Sequence, residues 1–382
     1  MSQGISESVT ALRALIVGSG MIGNVHRRSA ILAGAQVVGV VEKDEESARA
    51  AAERWGVLDY FDDLVTALDA VHPDVVHICT PNATHGEFSR LALEAGCHVV
   101  CEKPLTLDVA EGQALADLAE ANGLVAAVPY VYRYHPLVRE IRSRRIAGEF
   151  GSIHMLHGHY LQDWLLSPDA SSWRVDPAAG GASRAFADIG SHWCDLIEWV
   201  SGQRITELVA DTAIAIPERP AEAGPTFTTA TPTTSAPKVK VTTEDISNIL
   251  FRTDAGTPGT LTVSQVSAGR KNRLWFELDG EHSSAVFDQE NPETVWLGAL
   301  DKATILFRDP GYGSAESRRL TVTPSGHVQG WLVCFEEFVA DTYATIRGGN
   351  PEGLPTFADG VRSLKIVAAV LGSAKSRAWK EV

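Results

Sequence analysis

Short apolar runs alternate with longer amphipathic segments over the first 130 residues of the chain. The runs occupy positions 14–17, 37–41, 75–79, 97–101 and 124–128. Helical composition and spacing mark positions 44–55, 88–95 and 109–121. Strands that are apolar along their whole length and are separated by helices indicate a parallel sheet covered on both faces. The pattern therefore predicts an α/β protein whose N-terminal domain is a Rossmann-type, doubly wound parallel sheet.

After Tyr130 the pattern changes to alternating strands and fewer helices. Strand-like segments cover positions 153–161, 207–216, 246–253, 260–266, 274–278 and 284–287. Helices are predicted over positions 136–147, 188–200, 328–346 and 357–376. This spacing predicts a C-terminal α+β domain with a mainly antiparallel sheet. The expected domains are residues 1–130 and 131–382, with the last helix packing back on the first domain. Positions 217–237 are rich in Pro, Thr and Ala, which predicts a long surface loop.

Length, charge and cysteine content limit the binding partners and the cellular location that we expect for this chain. A chain of 382 residues is long enough for two domains, and its formal net charge of −15 argues against a nucleic acid or an anionic membrane surface as partner. No apolar run approaches the ~20 residues of a membrane helix, and positions 1–10 lack the order of a secretory signal. An odd set of cysteines without metal spacing indicates reduced thiols and a cytoplasmic protein. These cysteines are Cys79, Cys97, Cys101, Cys194 and Cys334.

A glycine-rich turn follows the first predicted strand. Gly18 permits the tight turn, Gly20 allows backbone to approach a pyrophosphate, and Gly23 lets helix and strand pack closely. Met21 and Ile22 begin the next helix, whose N-terminus favours phosphate charge. The strand before the turn and the helix after it are the context in which this motif binds a dinucleotide.

Glu42 ends the second predicted strand, about 20 residues beyond the turn. A carboxylate there can accept hydrogen bonds from the adenosine ribose hydroxyls, which favours NAD. Lys43 could instead meet the 2′-phosphate of NADP, so NADP remains an alternative.

The third predicted strand ends in Thr80-Pro81-Asn82, with His85 shortly afterwards. Loops at the carboxyl ends of parallel strands contact the cofactor in such sheets. Thr80, Pro81 and Asn82 are therefore predicted to bind it. His85 is a secondary candidate, because a histidine there can instead support the start of the helix.

Glu102-Lys103-Pro104 follows the fourth predicted strand and carries most of the functional argument. Proline restricts the residue before it to extended backbone, so Lys103 is held at the edge of the sheet. The Lys-Pro bond is also a candidate for the cis form. Glu102 and Lys103 are predicted to contact the cofactor, and Lys103 is predicted to be catalytic.

Asp188 and His192 lie four residues apart at the start of the strongest predicted helix, and therefore on one face. A carboxylate one turn from an imidazole can orient it and support its charged form, which suits a general base. Zinc is the competing interpretation of such a pair. No further Cys, His or Glu completes a metal site in the sequence, so no metal is predicted.

Taken together, these motifs resemble the Gfo/Idh/MocA family of oxidoreductases over nearly the whole chain. The resemblance also rests on Tyr132-Arg133-Tyr134 and on Phe357-Ala358-Asp359-Gly360. It implies a Rossmann domain followed by a domain with an open, mainly antiparallel sheet. It further implies that Lys103, Asp188 and His192 meet the substrate beside the nicotinamide, and that the open sheet face joins subunits in homodimers or homotetramers.

The segments 160–164 and 172–174 are similar to the sugar-contacting region of the family's glycose and anhydrosugar dehydrogenases. Aromatic rings can stack on a pyranose while Gln, Asp and Arg bind its hydroxyls, although both tryptophans could equally be core residues. His327, in a loop before a helix, is a weaker candidate. The predicted substrate-binding residues are Lys103, Tyr132, Arg133, Tyr160, Gln162, Asp163, Trp164, Trp173, Arg174, Asp188, His192 and His327.

The function expected from this resemblance is NAD(P)-dependent oxidation of a secondary alcohol on a sugar, anhydrosugar or cyclitol. His192 or Lys103 would act as the base. The alternative is a glycoside-cleaving enzyme that uses bound NAD in a transient redox cycle.

Overall fold

The structure is a computed structural model that describes residues 11–221 and 237–382. Its strands are β1 Arg13–Val17, β2 Gln36–Val41, β3 Tyr60–Phe61, β4 Val75–Ile78, β5 His98–Cys101, β6 Ala126–Ala127, β7 Ile153–Leu161, β8 Ile205–Ala213, β9 Glu218–Pro220, β10 Lys238–Lys240, β11 Ile246–Thr253, β12 Pro258–Ser264, β13 Arg273–Gly280, β14 Ser284–Asp288, β15 Thr294–Gly298, β16 Ala303–Phe307 and β17 Lys380–Glu381. Its helices are α1 Met21–Leu32, α2 Glu45–Trp55, α3 Leu64–Val71, α4 His85–Glu94, α5 Val109–Ala121, α6 Pro136–Ile146, α7 Pro177–Gly180, α8 Ser191–Ser201, α9 Ala315–Arg319, α10 Trp331–Ile346 and α11 Phe357–Ser376.

The first sheet has six parallel strands in the order β3-β2-β1-β4-β5-β6. Each of the central strands β1, β4 and β5 is almost wholly buried, as the uninterrupted apolar runs predicted. The order reverses direction between β1 and β4, and such a switch point leaves a crevice at the carboxyl ends of the strands. The predicted doubly wound sheet is confirmed. The sequence analysis had not identified β3 and α3, because a strand of two residues carries too little periodicity.

The second sheet has nine strands in the order β16-β15-β14-β13-β7-β12-β11-β8-β17. Only β7 and β12 run parallel to each other, so the prediction of a mainly antiparallel sheet is confirmed. Its strands alternate buried and exposed residues, which is the pattern of a sheet packed on one face only. The analysis of the sequence had missed β15 and β16, which extend this sheet at one edge.

The helices after position 330 join the two domains. Helix α10 packs on α1, and α11 packs both on α5 and on β8. Phe357, Val361 and Leu364 of α11 belong to the core of the first domain, while Ile366 and Val370 of the same helix belong to the core of the second. The last two helices therefore fix the second domain against the carboxyl ends of the first sheet.

Two regions differ in detail from the elements predicted. The helix expected at positions 188–200 begins with a π-helical turn, Phe186–Gly190, before the regular helix α8. The predicted loop at 217–237 lies mostly outside the described residues. Its two ends, β9 and β10, pair as an antiparallel ribbon. Among the described residues, no helix is long and apolar enough to cross a bilayer.

Candidate active site

A cavity of about 1040 Å³ lies between the carboxyl ends of the first sheet and the second domain. Most residues that the sequence assigned to cofactor or substrate line it. They are Gly18, Gly20, Met21, Ile22, Glu42, Lys43, Thr80, Pro81, Asn82, His85, Glu102, Lys103, Tyr132, Tyr160, Gln162, Trp173, Arg174, Asp188 and His192.

The glycine turn forms one end of this cavity. Gly18 has φ +93°, and a Cβ there would lie 2.9 Å from the carbonyl oxygen of Cys79. A Cβ on Gly23 would lie 2.0 Å from the carbonyl oxygen of Gly18, so this glycine permits the close approach of helix α1 to strand β1. Around Gly20, in contrast, a Cβ would meet no described atom within 4 Å, and no side chain caps the helix there. The turn therefore offers free helix N–H groups facing open space, which fits a pyrophosphate.

Glu42 closes the turn at the end of β2. Its Oε1 accepts a hydrogen bond of 2.6 Å from the backbone N–H of Ser19. The Nζ of Lys43 is exposed and lies 3.8 Å from Oδ2 of Asp44. Since Glu42 is fixed at the cavity wall and Lys43 points to its own acidic neighbour, a ribose with free hydroxyls fits better here than a 2′-phosphate.

The loop after β4 connects the cofactor side of the cavity with the second domain. Asn82 donates from Nδ2 to the carbonyl of Gly180 over 2.9 Å. The ring nitrogens of His85 lie 2.7 Å from the carbonyl oxygen of Pro104 and 2.9 Å from that of Thr80. His85 therefore lies between the loops after β4 and β5, and its contact with the cofactor stays a prediction.

Lys103 and Asp188 form the centre of the opposite wall. Nζ of Lys103 donates to Oδ1 of Asp188 over 2.5 Å and to its backbone carbonyl over 2.8 Å. Oδ2 of Asp188 accepts from Gln265 over 2.8 Å, and Arg174 lies 3.4 Å from Oδ1. Burial opposes ionisation of Asp188, but Lys103 and then Arg174 hold the pKa of this carboxyl well below its usual value. The Lys103–Pro104 bond is cis.

His192 lies beside this pair, at the start of α8. Its ring packs edge-on against Tyr130 and Tyr132, with ring centroids at 5.6 Å and 5.4 Å. Burial, and then the charge of Lys103, lower the pKa of His192 to about 3, so the imidazole is neutral at physiological pH. Within the part of the chain that the structure describes, its buried Nδ1 has no hydrogen-bond partner. The carboxylate of Asp188 bonds to Lys103 and Gln265, so Asp188 influences His192 through its charge and not through a hydrogen bond.

Five of the predicted site residues do not line the cavity. Gly23 lies behind the turn, and Arg133 is buried in ion pairs with Asp195 and Asp359. The other three residues, Asp163, Trp164 and His327, bond to other residues of the second domain. Asp163 bonds to Lys271 over 2.7 Å, Trp164 donates to Gln162 over 2.9 Å, and the carbonyl of His327 accepts from Arg308 over 2.8 Å.

The sequence analysis missed several residues of the cavity wall. Asn272 is the most informative of these, because its Oδ1 accepts from Tyr160 over 2.8 Å and from Gln162 over 2.9 Å. It stands immediately before β13, more than 100 residues from both partners, and no local motif marks it. The cavity wall also includes Asp62, Asp63, Phe88, Lys271, Trp331 and Phe335.

One group of side chains among the described residues has the composition of a metal site, namely His157, Glu277 and Asp279. All three are partly exposed on the second sheet and none lines the cavity. The prediction that the reaction needs no metal stays a prediction.

Fold and site together define a two-domain, NAD-binding oxidoreductase. Residues 12–130 match the family described as "Oxidoreductase family, NAD-binding Rossmann fold", and residues 138–286 match the GFO/IDH/MocA C-terminal domain. The chain belongs to the Gfo/Idh/MocA family of oxidoreductases, which confirms the resemblance stated above.

Two relatives by sequence are dehydrogenases of sugars. Levoglucosan dehydrogenase of Pseudarthrobacter phenanthrenivorans is 30% identical over 90% of this chain and 88% of its own. D-Glucoside 3-dehydrogenase of Escherichia coli is 31% identical over 50% of this chain and 54% of its own.

Solved structures with bound cofactor share the whole fold. A levoglucosan dehydrogenase in complex with NADH and L-sorbose has a TM-score of 0.88 and 27% identity, covering 97% of this chain and 98% of that one. An inositol dehydrogenase homologue from Azotobacter vinelandii, complexed with NAD+, has a TM-score of 0.87 and 26% identity over 98% of both chains.

Proposed function

We propose that this protein oxidises a secondary hydroxyl of a neutral sugar ring, an anhydrosugar or a cyclitol, with NAD as the hydride acceptor. The observation that carries the proposal is the Lys103–Asp188 ion pair with His192 beside it, facing the same cavity as the glycine turn. An amine, a carboxylate and a neutral imidazole at one wall can hold a hydroxyl group and remove its proton.

The charges of the wall support a neutral substrate. Lys103 and Arg174 both face Asp188, and Lys271 bonds to Asp163. Each of these cations faces a carboxylate, and Glu102 adds a third negative charge beside Lys103, so the cavity is poorly suited to a sugar phosphate.

Uncharged groups supply the rest of this wall. A hydrogen-bonded cluster of two tyrosines and two amides faces the cavity, and Trp173 adds an aromatic ring. Such a surface suits a polyhydroxylated ring, whose hydroxyls need partners and whose C–H face packs on aromatic groups. The cluster consists of Tyr132, Tyr160, Gln162 and Asn272.

The residues divide the work as follows. Bound NAD supplies the acceptor for the hydride that leaves the carbinol carbon. His192, neutral at physiological pH, takes the proton of the hydroxyl group. Lys103 uses two of its three N–H bonds on Asp188, and its third donates to the same substrate oxygen. In the alternative assignment Lys103 takes the proton, and the variants described in the Discussion separate the two.

The test is a screen for NADH formation at 340 nm. The purified protein is mixed with NAD or NADP and with levoglucosan, methyl glucosides, free aldoses and inositols. We expect NADH to form with one class of ring, and NAD to be used better than NADP because of Glu42. Bound NAD without net NADH formation on any member would contradict the dehydrogenase, and release of aglycone from a glycoside would then identify the redox-cycling alternative.

We also propose a homo-oligomer joined through the open face of the second sheet. Leu250, Trp296, Ile305 and Phe307 on this sheet are large, apolar and more than one-third exposed. Exposed apolar patches of this kind mark association surfaces. Light scattering after size exclusion should give a dimer or tetramer, and Phe307→Asp should lower the mass to that of a monomer. The five buried, unpaired thiols support a cytoplasmic location.

A further inference from the structure

A chain of buried polar side chains runs from the cavity into the first domain. Oε1 of Glu102 lies 3.2 Å from Nε2 of His26 on helix α1. Nδ1 of His26 lies 2.9 Å from Nδ1 of His77 on strand β4, and Nε2 of His77 lies 2.8 Å from the hydroxyl of Tyr343 on helix α10. His26, His77 and Tyr343 are fully buried, and only Glu102 reaches the cavity.

When Glu102 is ionised and both imidazoles are neutral, the hydrogen bonds along these four groups can run in one direction only. A neutral imidazole has one N–H and one acceptor nitrogen. If His26 donates from Nε2 to Glu102, its Nδ1 must accept, so His77 donates from Nδ1. Nε2 of His77 must then accept from the hydroxyl of Tyr343. Every donor in the chain therefore points toward the carboxylate.

The other oxygen of Glu102 is fixed as well. Oε2 accepts from the backbone N–H of Lys103 over 3.2 Å, so both carboxylate oxygens are held. Burial opposes ionisation of Glu102, but the hydrogen bond from His26 and the charge of Lys103 act against burial, and the pKa of Glu102 is lowered. Burial lowers the pKa of His77 well below its usual value, which agrees with a neutral imidazole in the chain.

We propose that Tyr343, His77 and His26 form a positioning relay that keeps Glu102 ionised and fixed beside Lys103 and His192. The part of this proposal that concerns turnover rests on the proposed function. The arrangement of protons along the relay does not. Tyr343 lies outside the cavity wall and reaches the reaction only through the two histidines.

A fixed negative charge at this position has a definite effect on the reaction. Glu102 and Asp188 raise the basicity of His192, whereas Lys103 lowers it. When His192 takes the hydroxyl proton it becomes an imidazolium next to the Lys103 ammonium, and an ionised Glu102 stabilises both cations. The titratable groups that interact with Glu102 include His26, Lys103, His85, His192, Cys79 and Cys101.

The first test reads the protons directly by nitrogen-15 NMR of the histidine-labelled protein, with single histidine variants for assignment. We expect His26 as the Nε2–H tautomer and His77 as the Nδ1–H tautomer. The opposite tautomer of His77, or a charged His26, would reverse the relay and overturn the proposal. This measurement needs neither substrate nor turnover.

The second test compares Tyr343→Phe with Tyr134→Phe. Tyr134 is a buried tyrosine in the same hydrophobic cluster, and its hydroxyl has no hydrogen-bond partner among the described residues. Both variants remove one buried hydroxyl, but only Tyr343→Phe removes the last donor of the relay. Thermal unfolding of the two proteins shows whether each remains folded.

We expect Tyr343→Phe to lower kcat roughly three- to tenfold with little change in KM. It should also move the acid limb of the pH profile upward by roughly half a pH unit, because Glu102 then takes up a proton more readily. Tyr134→Phe should keep the wild-type profile. Equal losses in both variants, or an unchanged profile in Tyr343→Phe, would overturn the positioning role. If the wild-type protein turns over no substrate while its tautomers are as expected, the proposed function fails and the relay stands.

Discussion

Two buried ion pairs differ in what lies on their open side. Lys103–Asp188 faces the cavity, whereas Arg133–Asp195 is enclosed by protein and extended by Asp359. Their side chains are similarly buried, at 11% and 8% exposed for the first pair and 7% and 6% for the second. Burial alone therefore does not distinguish a reactive pair from a structural one.

The bonding of the cation makes the difference. Lys103 uses two donors on Asp188, which leaves one N–H at the cavity. The guanidinium of Arg133 gives Nε and Nη2 to Asp195, and Nη2 also meets Asp359. A cation with a donor left over at a cavity can act on a ligand, while a cation enclosed with two carboxylates holds the fold.

The largest expected effect is the loss of turnover in Lys103→Met. The variant keeps the apolar stem but removes the ammonium that bonds to Asp188 and, in the proposed function, to the substrate oxygen. We expect kcat to fall by roughly 10³-fold or more, while the Kd for NAD changes by less than roughly threefold. Steady-state kinetics and calorimetric titration measure the two quantities. The matched control is Lys365→Met, at an exposed lysine on α11. Turnover above a tenth of wild type in Lys103→Met would show that Lys103 is not required for the reaction.

Substitution in the enclosed Arg133–Asp195 pair should lower the stability of the protein and leave turnover nearly unchanged. Arg133→Met leaves the buried Asp195 and the partly buried Asp359 without their cation, so the free energy of unfolding should fall by about 3–5 kcal/mol. Turnover of the folded fraction, measured at low temperature, should stay within roughly threefold of wild type. Urea unfolding gives the first value. The control, Arg28→Met, removes an exposed ion pair with Glu336 and should lower the free energy of unfolding by no more than about 1 kcal/mol. A large loss of kcat in folded Arg133→Met would contradict the distinction between the two pairs.

His192→Ala separates the two candidate bases. If the imidazole takes the proton, kcat should fall by roughly 10²-fold or more. The Kd for NAD should remain near that of wild type. A variant that keeps kcat within roughly tenfold of wild type would assign the proton transfer to Lys103 instead.

The smallest expected effect is on the stability of the protein at acid pH and involves His135. As for His192, the pKa of His135 is lowered to about 3, here by burial and then by Arg308. Above pH 6.5 this imidazole is neutral in both the folded and the unfolded chain, so it does not change the free energy of unfolding. Between pH 6.5 and pH 3 only the unfolded chain takes up the proton, and stability falls as the pH falls. From pH 7 to pH 5 this one group should cost about 2 kcal/mol.

His135→Gln should remove that part of the acid sensitivity, although the substitution has a cost of its own at pH 7. Urea unfolding at the two pH values measures the difference for each protein. An identical loss of stability from pH 7 to pH 5 in wild type and variant would show that His135 is protonated in the folded protein. Activity at pH 7 should change little, because His135 does not line the cavity.

Much of the fold could be read from short stretches of sequence. β7 and β11 begin and end where the alternation of apolar and polar residues predicted, and α5 and α11 match their predicted ranges. β3, β15 and β16 were missed because each is short or lies at a sheet edge, where partial exposure weakens the pattern. Edge strands are defined mainly by the neighbour with which they pair.

By itself the sequence determined the Rossmann sheet, the glycine turn, and Lys103, Asp188 and His192 as candidates. Strand periodicity, positive-φ glycines and the Lys-Pro step are properties of adjacent residues. Tertiary structure alone decided that Arg133 is enclosed while Lys103 faces the cavity, that Gln265 donates to Asp188, and that Asn272 completes the polar wall. Burial and hydrogen-bond partners depend on segments far apart in the chain, and no local pattern records which of them will meet.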